Sequence, residues 1–308
     1  EAVNSSDEIR VILVGKQDMI AKELEKYEYA KEDIEVVHAS EIIDMGDVPT
    51  VAIKDKKDSS LVVAMRLVRE GKADALVSAG STGAVLVGGQ LVVGRLKGIK
   101  RPPLAPFIPT TKGFSLLIDC GANVDARPEH LVQFAQMGSI YYENVMGKKN
   151  PTVALLNIGT EEEKGNQLVK DTKPLMKECK NINYIGSVEA RELVSGAADV
   201  IVCEAFVGNV VLKFFEGLAL TLFGSLKEGL MSSTRTKLGA LLVKPALKGL
   251  KNQFDTSSQG GAPLLGLKGL VVKAHGNSSS KEIEIALKQC ISFKKQKINE
   301  KIKESICD

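Results

Sequence analysis

Apolar runs of strand length, each followed by a polar or glycine-rich turn and then a helical stretch, recur along this chain. No other feature constrains its fold as strongly. Residues 10–15, 34–38, 75–79, 114–120, 152–157, 182–185, 199–203 and 270–274 are such runs. Continuous apolar runs suit strands covered on both faces. Strands alternating with helices at this spacing predict parallel βαβ units with right-handed crossovers. The expected architecture is a three-layer α/β fold, a mostly parallel sheet with helices on both faces. Residues 1–308 are read as a single α/β catalytic domain, with residues 214–254 as a helical insertion.

The stretch Asp74-Ala-Leu-Val-Ser-Ala-Gly-Ser-Thr-Gly-Ala84 is the clearest such unit. A strand, a Gly80–Gly83 turn and an apolar helix place backbone N–H groups at a helix N-terminus, which is an anion site. Ser78, Gly80, Ser81, Thr82 and Gly83 are therefore the candidate phosphate-binding residues. The turn has neither the Lys of a P-loop nor the G-x-G-x-x-G of a dinucleotide site, which counts against a nicotinamide dehydrogenase. Ser78, Asp119, Asn157 and Glu204 each fall at the carboxyl end of an apolar run. Open α/β sheets bind ligands beyond those ends, so the four polar strand ends predict a ligand crevice.

With 44% hydrophobic residues and a net charge of +3, the chain has material for a large core but no general affinity for nucleic acid. Cysteines 120, 179, 203, 290 and 307 are scattered, and no ligand spacing links them to the histidines. A reducing cytosol fits better than a disulfide framework, and neither a metal nor a cofactor is expected. No apolar run reads as long enough to span a membrane. Proline and glycine punctuate two segments, an extended connection across residues 102–109 and a flexible turn across residues 259–266.

The pattern changes beyond Phe214. Residues 214–231 are apolar, and residues 232–254 carry Arg235, Lys237, Lys244, Lys248 and Lys251 with no acidic residue among them until Asp255. At about 100° per residue the four lysines share an arc of roughly 60°, with Leu242, Val243, Ala246, Leu247 and Leu250 covering the opposite side and Leu238 and Leu241 as exceptions. Pro245 is expected to kink or split this helix. A basic face against an aliphatic face suits an anionic membrane surface or an acidic partner.

His38-Ala-Ser-Glu41, Lys56-Lys-Asp-Ser-Ser60, Ser78-Ala-Gly-Ser-Thr-Gly-Ala84, Asp119-Cys-Gly-Ala-Asn123, Leu155-Leu-Asn-Ile-Gly159, Lys164-Gly-Asn166, Phe206-Val-Gly-Asn-Val210 and Gly260-Gly-Ala-Pro-Leu-Leu265 stand in this order across nearly the whole chain. In that combination the chain resembles the PlsX family, the bacterial phosphate acyltransferases of phospholipid synthesis. Three departures stand out. The family opens with a strand and a Met-Gly-Gly-Asp loop, and no such stretch precedes Arg10; the chain reads as shortened there, with part of the site outside it. Ser81 replaces the frequent Asn of the central turn, and Glu204-Ala205 replaces Asp-Gly.

The resemblance implies a fold like that of phosphate acetyltransferases, a homodimer, and transfer of a fatty acyl group from acyl carrier protein to inorganic phosphate. The acyl phosphate would pass to an integral-membrane glycerol-phosphate acyltransferase, and the protein would be cytoplasmic and peripherally bound to the membrane. Such chemistry needs no side-chain nucleophile, because phosphate attacks the thioester itself and the protein positions both and stabilises the oxyanion. Lys164, Asn123, Asn166 and Asn209 are the candidate catalytic donors. His275 and Cys120 read as structural. Two alternatives remain: a phosphate acyltransferase that uses acyl-coenzyme A, and a non-enzymatic scaffold on a membrane surface.

Overall fold

The computed structural model describes residues 1–254 and 259–306. Its backbone forms two compact units: Glu1–Pro106, Gln136–Asn150 and Ser257–Asp308 make the first, and Phe107–Ala135 with Pro151–Thr256 the second. Both are built from mostly parallel sheets flanked by helices, as the alternating pattern predicts. The strands are divided among three sheets rather than one.

In the first unit, β1 (Val11–Gly15) pairs in parallel with β2 (Ile34–His38). A second sheet has the order β3 (Ala75–Ser78), β10 (Leu270–Lys273), β9 (Ala262–Leu264). Helix α1 (Gln17–Leu24) lies against β1 and β2, while α2 (Pro49–Asp55), α3 (Ser60–Arg69) and α4 (Thr82–Gly88) pack among themselves. Either Asp58 or Ser59 could begin α3 on sequence grounds, and Ser59 does so by accepting from the Val62 N–H. Asp58 instead accepts from the Ser40 hydroxyl at 2.6 Å and its N–H at 2.9 Å, which lowers its carboxyl pKa. The segment read as a flexible turn is ordered structure. β9 pairs antiparallel with β10, and a Cβ on Gly261 would lie 2.8 Å from the Lys273 carbonyl oxygen. The glycines there permit close approach, a purpose that composition alone does not distinguish from flexibility.

The second unit holds a five-stranded sheet in the order β4 (Phe107–Thr110), β5 (Gly113–Ile118), β8 (Val200–Val202), β6 (Thr152–Asn157), β7 (Asn183–Glu189). All neighbours are parallel except β4 and β5. Leu116, Leu117, Ile118, Val153, Ala154, Leu155, Val200, Ile201 and Val202 are fully buried, which explains their unbroken apolar runs. β4 occupies part of the segment read as an extended connection. Pro109 is tolerated there because β4 is an edge strand, where a missing N–H costs no ladder bond. Helix α5 (Pro128–Met146) belongs to the second unit as far as Ala135 and to the first from Gln136; α6 (Gln167–Glu178), α7 (Ala205–Met231) and α8 (Thr234–Gln253) belong to the second, and α9 (Ser280–Lys295) and α10 (Ile298–Ile306) to the first.

Three features of α7 and α8 correct the sequence reading. The sequence reads Glu204 to Asn209 as a strand-end loop ahead of the helix, whereas α7 starts at Ala205 and Phe206 to Asn209 lie in its opening turns. α8 stays one helix with Pro245 inside it, at an exposed position. By length and composition alone α7 is also apolar enough to cross a membrane, and only 6% of its most apolar stretch is buried. Gly217, Gly224 and Gly229 break the run on paper, whereas a helix passes through them uninterrupted. α7 and α8 pack on each other, and Phe214, Leu220, Leu222, Leu238, Leu241 and Leu242 stay exposed.

Candidate active site

In the first unit the carboxyl ends of β3 and β10 lie side by side, and the Ala274 N–H donates to the Ser78 carbonyl at 2.9 Å. The chain turns from Ser78 into α4 over Ala79, Gly80 and Ser81. Gly80 is exposed, and its N–H donates to the Ser78 hydroxyl at 3.2 Å. Ser81 is the α4 N-cap residue, but its hydroxyl makes no capping bond. The first-turn N–H groups of a helix lack intrahelical acceptors, and together with exposed Thr82 they form the donor set expected of an anion turn. The two glycines differ in role. A Cβ on Gly83 would stand 2.7 Å from Pro49 Cγ, so this glycine lets α2 meet α4. A Cβ on Gly80 would come no nearer to anything than 3.4 Å, from Ser78 Oγ.

Next to that turn, the loop before α2 is tied down by Lys56, whose ammonium donates to the Ile42 carbonyl at 2.9 Å and to Asp47 at 2.5 Å. Ile42, Met45, Val48 and Val51 are left exposed. Sequence reasoning missed this apolar surface, because its residues follow neither a helical nor a strand period.

In the second unit Asp119, Asn157 and Glu204 stand at the carboxyl ends of the parallel central strands β5, β6 and β8. Asp119 is fully buried. It accepts from the Asn123 amide at 2.7 Å and from the Ala122 N–H at 3.1 Å. Glu204 caps α7, accepting from the N–H groups of Phe206 at 2.6 Å and Val207 at 2.9 Å. The longer carboxylate thus still reaches a helix N-terminus, and Ala205 is buried with its N–H on the Asn123 carbonyl. A Cβ on Gly208 would fall 1.9 Å from the Asp119 carbonyl oxygen, so α7 can begin here only with glycine at that position.

The loop from Ile158 to Asn166 is closed from inside. The Asn157 amide donates to the carbonyls of Gly159 at 2.9 Å and Lys164 at 3.1 Å. Gly165 takes φ of 113°, a conformation that L side chains rarely adopt. Asn166 caps α6 through its oxygen, which accepts from the Val169 N–H at 2.9 Å. Lys164 is exposed, and its ammonium has no partner among the described residues. Of the adjoining glutamates, Glu162 pairs instead with Lys177 at 2.7 Å. Asn209 is exposed on α7, its oxygen about 4.0 Å from where a Cβ of Gly121 would lie.

Cys120 and Cys203 are buried. Burial pushes both thiols well above their ordinary pKa, helped at Cys120 by Cys203 and Asp119. A thiol so held does not supply the thiolate of covalent catalysis. His275 accepts from the Asn277 N–H through Nδ1 at 3.2 Å, a loop-shaping contact. On α8, Arg235, Lys237, Lys244 and Lys248 are exposed, as are Leu242 and Val243, while Leu247 is half-buried. The side chain of Lys251 lies outside the described ones.

This architecture is that of the phosphotransacylase fold. It resembles a phosphotransacetylase from Streptococcus pyogenes with a TM-score of 0.60 and 18% identity, over 92% of this chain and 86% of that one. The EutD phosphotransacetylase from Staphylococcus aureus gives 0.58 and 18%, over 95% and 88%. The sequence is more specific: residues 1–301 match the family described as "Fatty acid synthesis protein". A phosphate acyltransferase of Alkaliphilus oremlandii is 54% identical over 99% of this chain and 91% of its own. One from Clostridioides difficile is 51% identical over 99% and 90%. The chain belongs to this family, and it is an acyltransferase.

Proposed function

We propose that the chain transfers a fatty acyl group from acyl carrier protein to inorganic phosphate, releasing acyl phosphate for phosphatidic acid synthesis. Its relatives carry the name phosphate acyltransferase, which supports phosphate as the acceptor. The observation that carries the reading is Lys164, an ammonium without a protein partner among the described residues, on a loop closed from within. In this reading a phosphate oxygen attacks the thioester carbonyl carbon. The oxyanion collapses, and the C–S bond breaks to release thiolate. The Ser78, Gly80, Ser81, Thr82 and Gly83 turn takes an anion through main-chain N–H groups and hydroxyls. Lys164, with the amides of Asn166 and Asn209, supplies donors to phosphate or oxyanion. Asn123 works through Asp119, whose carboxylate it orients. The exposed Ile42, Met45, Val48 and Val51 favour a fatty acyl over an acetyl donor.

The test is incubation with acyl carrier protein thioester and labelled phosphate, with acyl-coenzyme A in parallel. Acyl phosphate formed from the carrier-protein thioester alone supports the reading; formation from coenzyme A alone refutes the donor. Lys164→Ala is expected to lose on the order of a hundredfold in rate, as when one oxyanion donor is removed. A rate near that of the unaltered protein at saturating phosphate would make Lys164 a solvated surface residue.

We also place the protein at the cytoplasmic membrane face as a homodimer, with α7 and α8 as its contact surface. The exposed lysines of α8 suit anionic headgroups and an acidic carrier protein, at about 1 kcal/mol each near such a surface. Leu242, 84% exposed, is the better probe than half-buried Leu247. Leu242→Glu is expected to abolish flotation with anionic vesicles and leave the melting temperature unchanged, since surface substitutions stay within about 0.5 kcal/mol. Retained flotation would remove lipid as the partner of that face, and sedimentation velocity on the same variant reads the dimer. Replacing Lys237, Lys244 and Lys248 by Glu is expected to raise KM for the carrier protein.

A further inference from the structure

Lys173 is the only fully buried lysine among the described residues, with 3% of its surface exposed. It sits in the second turn of α6, where its spacing reads as an ordinary amphipathic helix. Its ammonium donates to three main-chain carbonyls: Glu161 at 3.0 Å, Glu162 at 2.8 Å and Lys164 at 3.1 Å. An ammonium has three N–H donors, and here all three are spent on one loop and none on a carboxylate. Burying a charge is costly unless it is fully hydrogen-bonded, and buried carbonyls carry the same demand. Each side of this arrangement satisfies the other. With the Asn157 amide on Gly159 and Lys164, the carbonyls of Gly159, Glu161, Glu162 and Lys164 are held by only two side chains. The Lys164 carbonyl is shared by both, so the residue bearing the free ammonium is the most tightly tied of the loop.

We propose that Lys173 is a positioning residue for acyl transfer, an internal counter-cation that holds the 158–166 loop in the geometry presenting Lys164 and Asn166. The proposal rests on the reading of Lys164 as a donor to phosphate or oxyanion. Lys173 touches no substrate in this scheme and acts through the loop. Misplacing a positioned group by about 1 Å can cost a hundredfold in rate, and that is the size of loss to expect.

The experiment uses the full chain with Lys173→Met, which keeps the apolar stem, and Lys173→Ala, which leaves space for a small amine. In both, amide hydrogen exchange is expected to quicken across residues 159–166 while β6 and β8 stay protected. Turnover should fall about a hundredfold, chiefly in kcat. Ethylammonium chloride should restore activity to Lys173→Ala, and tetramethylammonium chloride, which has no N–H, should not. If Lys173 acts through Lys164, the double variant Lys173→Met with Lys164→Ala is no slower than the slower single one. Unchanged exchange in the loop, or unfolding of the whole chain at the same denaturant as the loop, would overturn the positioning role. Quickened exchange with kcat and KM unaltered would overturn the assignment of the loop to the site instead. Losses that multiply in the double variant would show that Lys173 does not act through Lys164.

Discussion

Gly208→Ala is expected to destabilise the second unit by about 3 kcal/mol or more, beyond the usual range for an inserted methyl group. The added Cβ would stand 1.9 Å from the Asp119 carbonyl oxygen and 3.0 Å from Cys203 Sγ. The nearer atom is backbone at the end of a buried strand and cannot swing aside as a flexible side chain would. Relief requires α7 to move away from β5, which would break the Asn123 carbonyl contact to the Ala205 N–H and disturb the Asp119–Asn123 bond. A domain has only about 5–15 kcal/mol to lose, so a loss of this size is a large fraction of its stability. The melting temperature should fall by on the order of 10 °C. A variant that melts within a degree or two of the unaltered protein would show that α7 can slide at no cost.

Gly80→Val is the opposite kind of substitution, and it is expected to abolish measurable turnover in a folded protein. Space exists for a Cβ: the nearest atom to it is Ser78 Oγ at 3.4 Å, an ordinary contact, and the residue is exposed. Gly80 is not among the glycines with positive φ. What a branched side chain removes is access of an anion to the N–H groups of the turn. Loss of that donor set should cost at least the hundredfold to thousandfold that a single oxyanion donor supplies. Circular dichroism should be unchanged. A normal KM for phosphate in this variant would end the assignment of the turn to phosphate. The same two measurements on Gly83→Ala separate packing from binding, because Pro49 Cγ lies 2.7 Å from its added Cβ and a stability loss is expected first.

The difference between these glycines marks what local sequence can and cannot convey. Gly80, Gly83 and Gly208 belong to motifs of similar appearance. Gly83 and Gly208 are required by atoms of Pro49 and Asp119, more than thirty and more than eighty residues away in the chain. Lys173 was missed for a related reason. A lysine one turn into a helix ordinarily reaches water, and nothing nearby in the sequence announces that three carbonyls of the preceding loop surround it. The sequence offers Asn123 as a candidate donor to substrate, but its amide is committed to Asp119, a residue it shares a short motif with.

The sequence alone determined the α/β class, the strand-end position of Ser78, Asp119, Asn157 and Glu204, and the family. Each rests on information that is local or additive: apolar runs of strand length, turn residues after them, and motifs in a fixed order. The tertiary structure decided the rest. It distributed the strands over three sheets, made residues 262–264 a strand, and carried α7 back to Ala205. It also left Lys164 without a partner among the described residues and surrounded Lys173 with carbonyls. These outcomes depend on which atoms meet across long stretches of chain, where main-chain pairing and close packing settle the choice between conformations of nearly equal local preference.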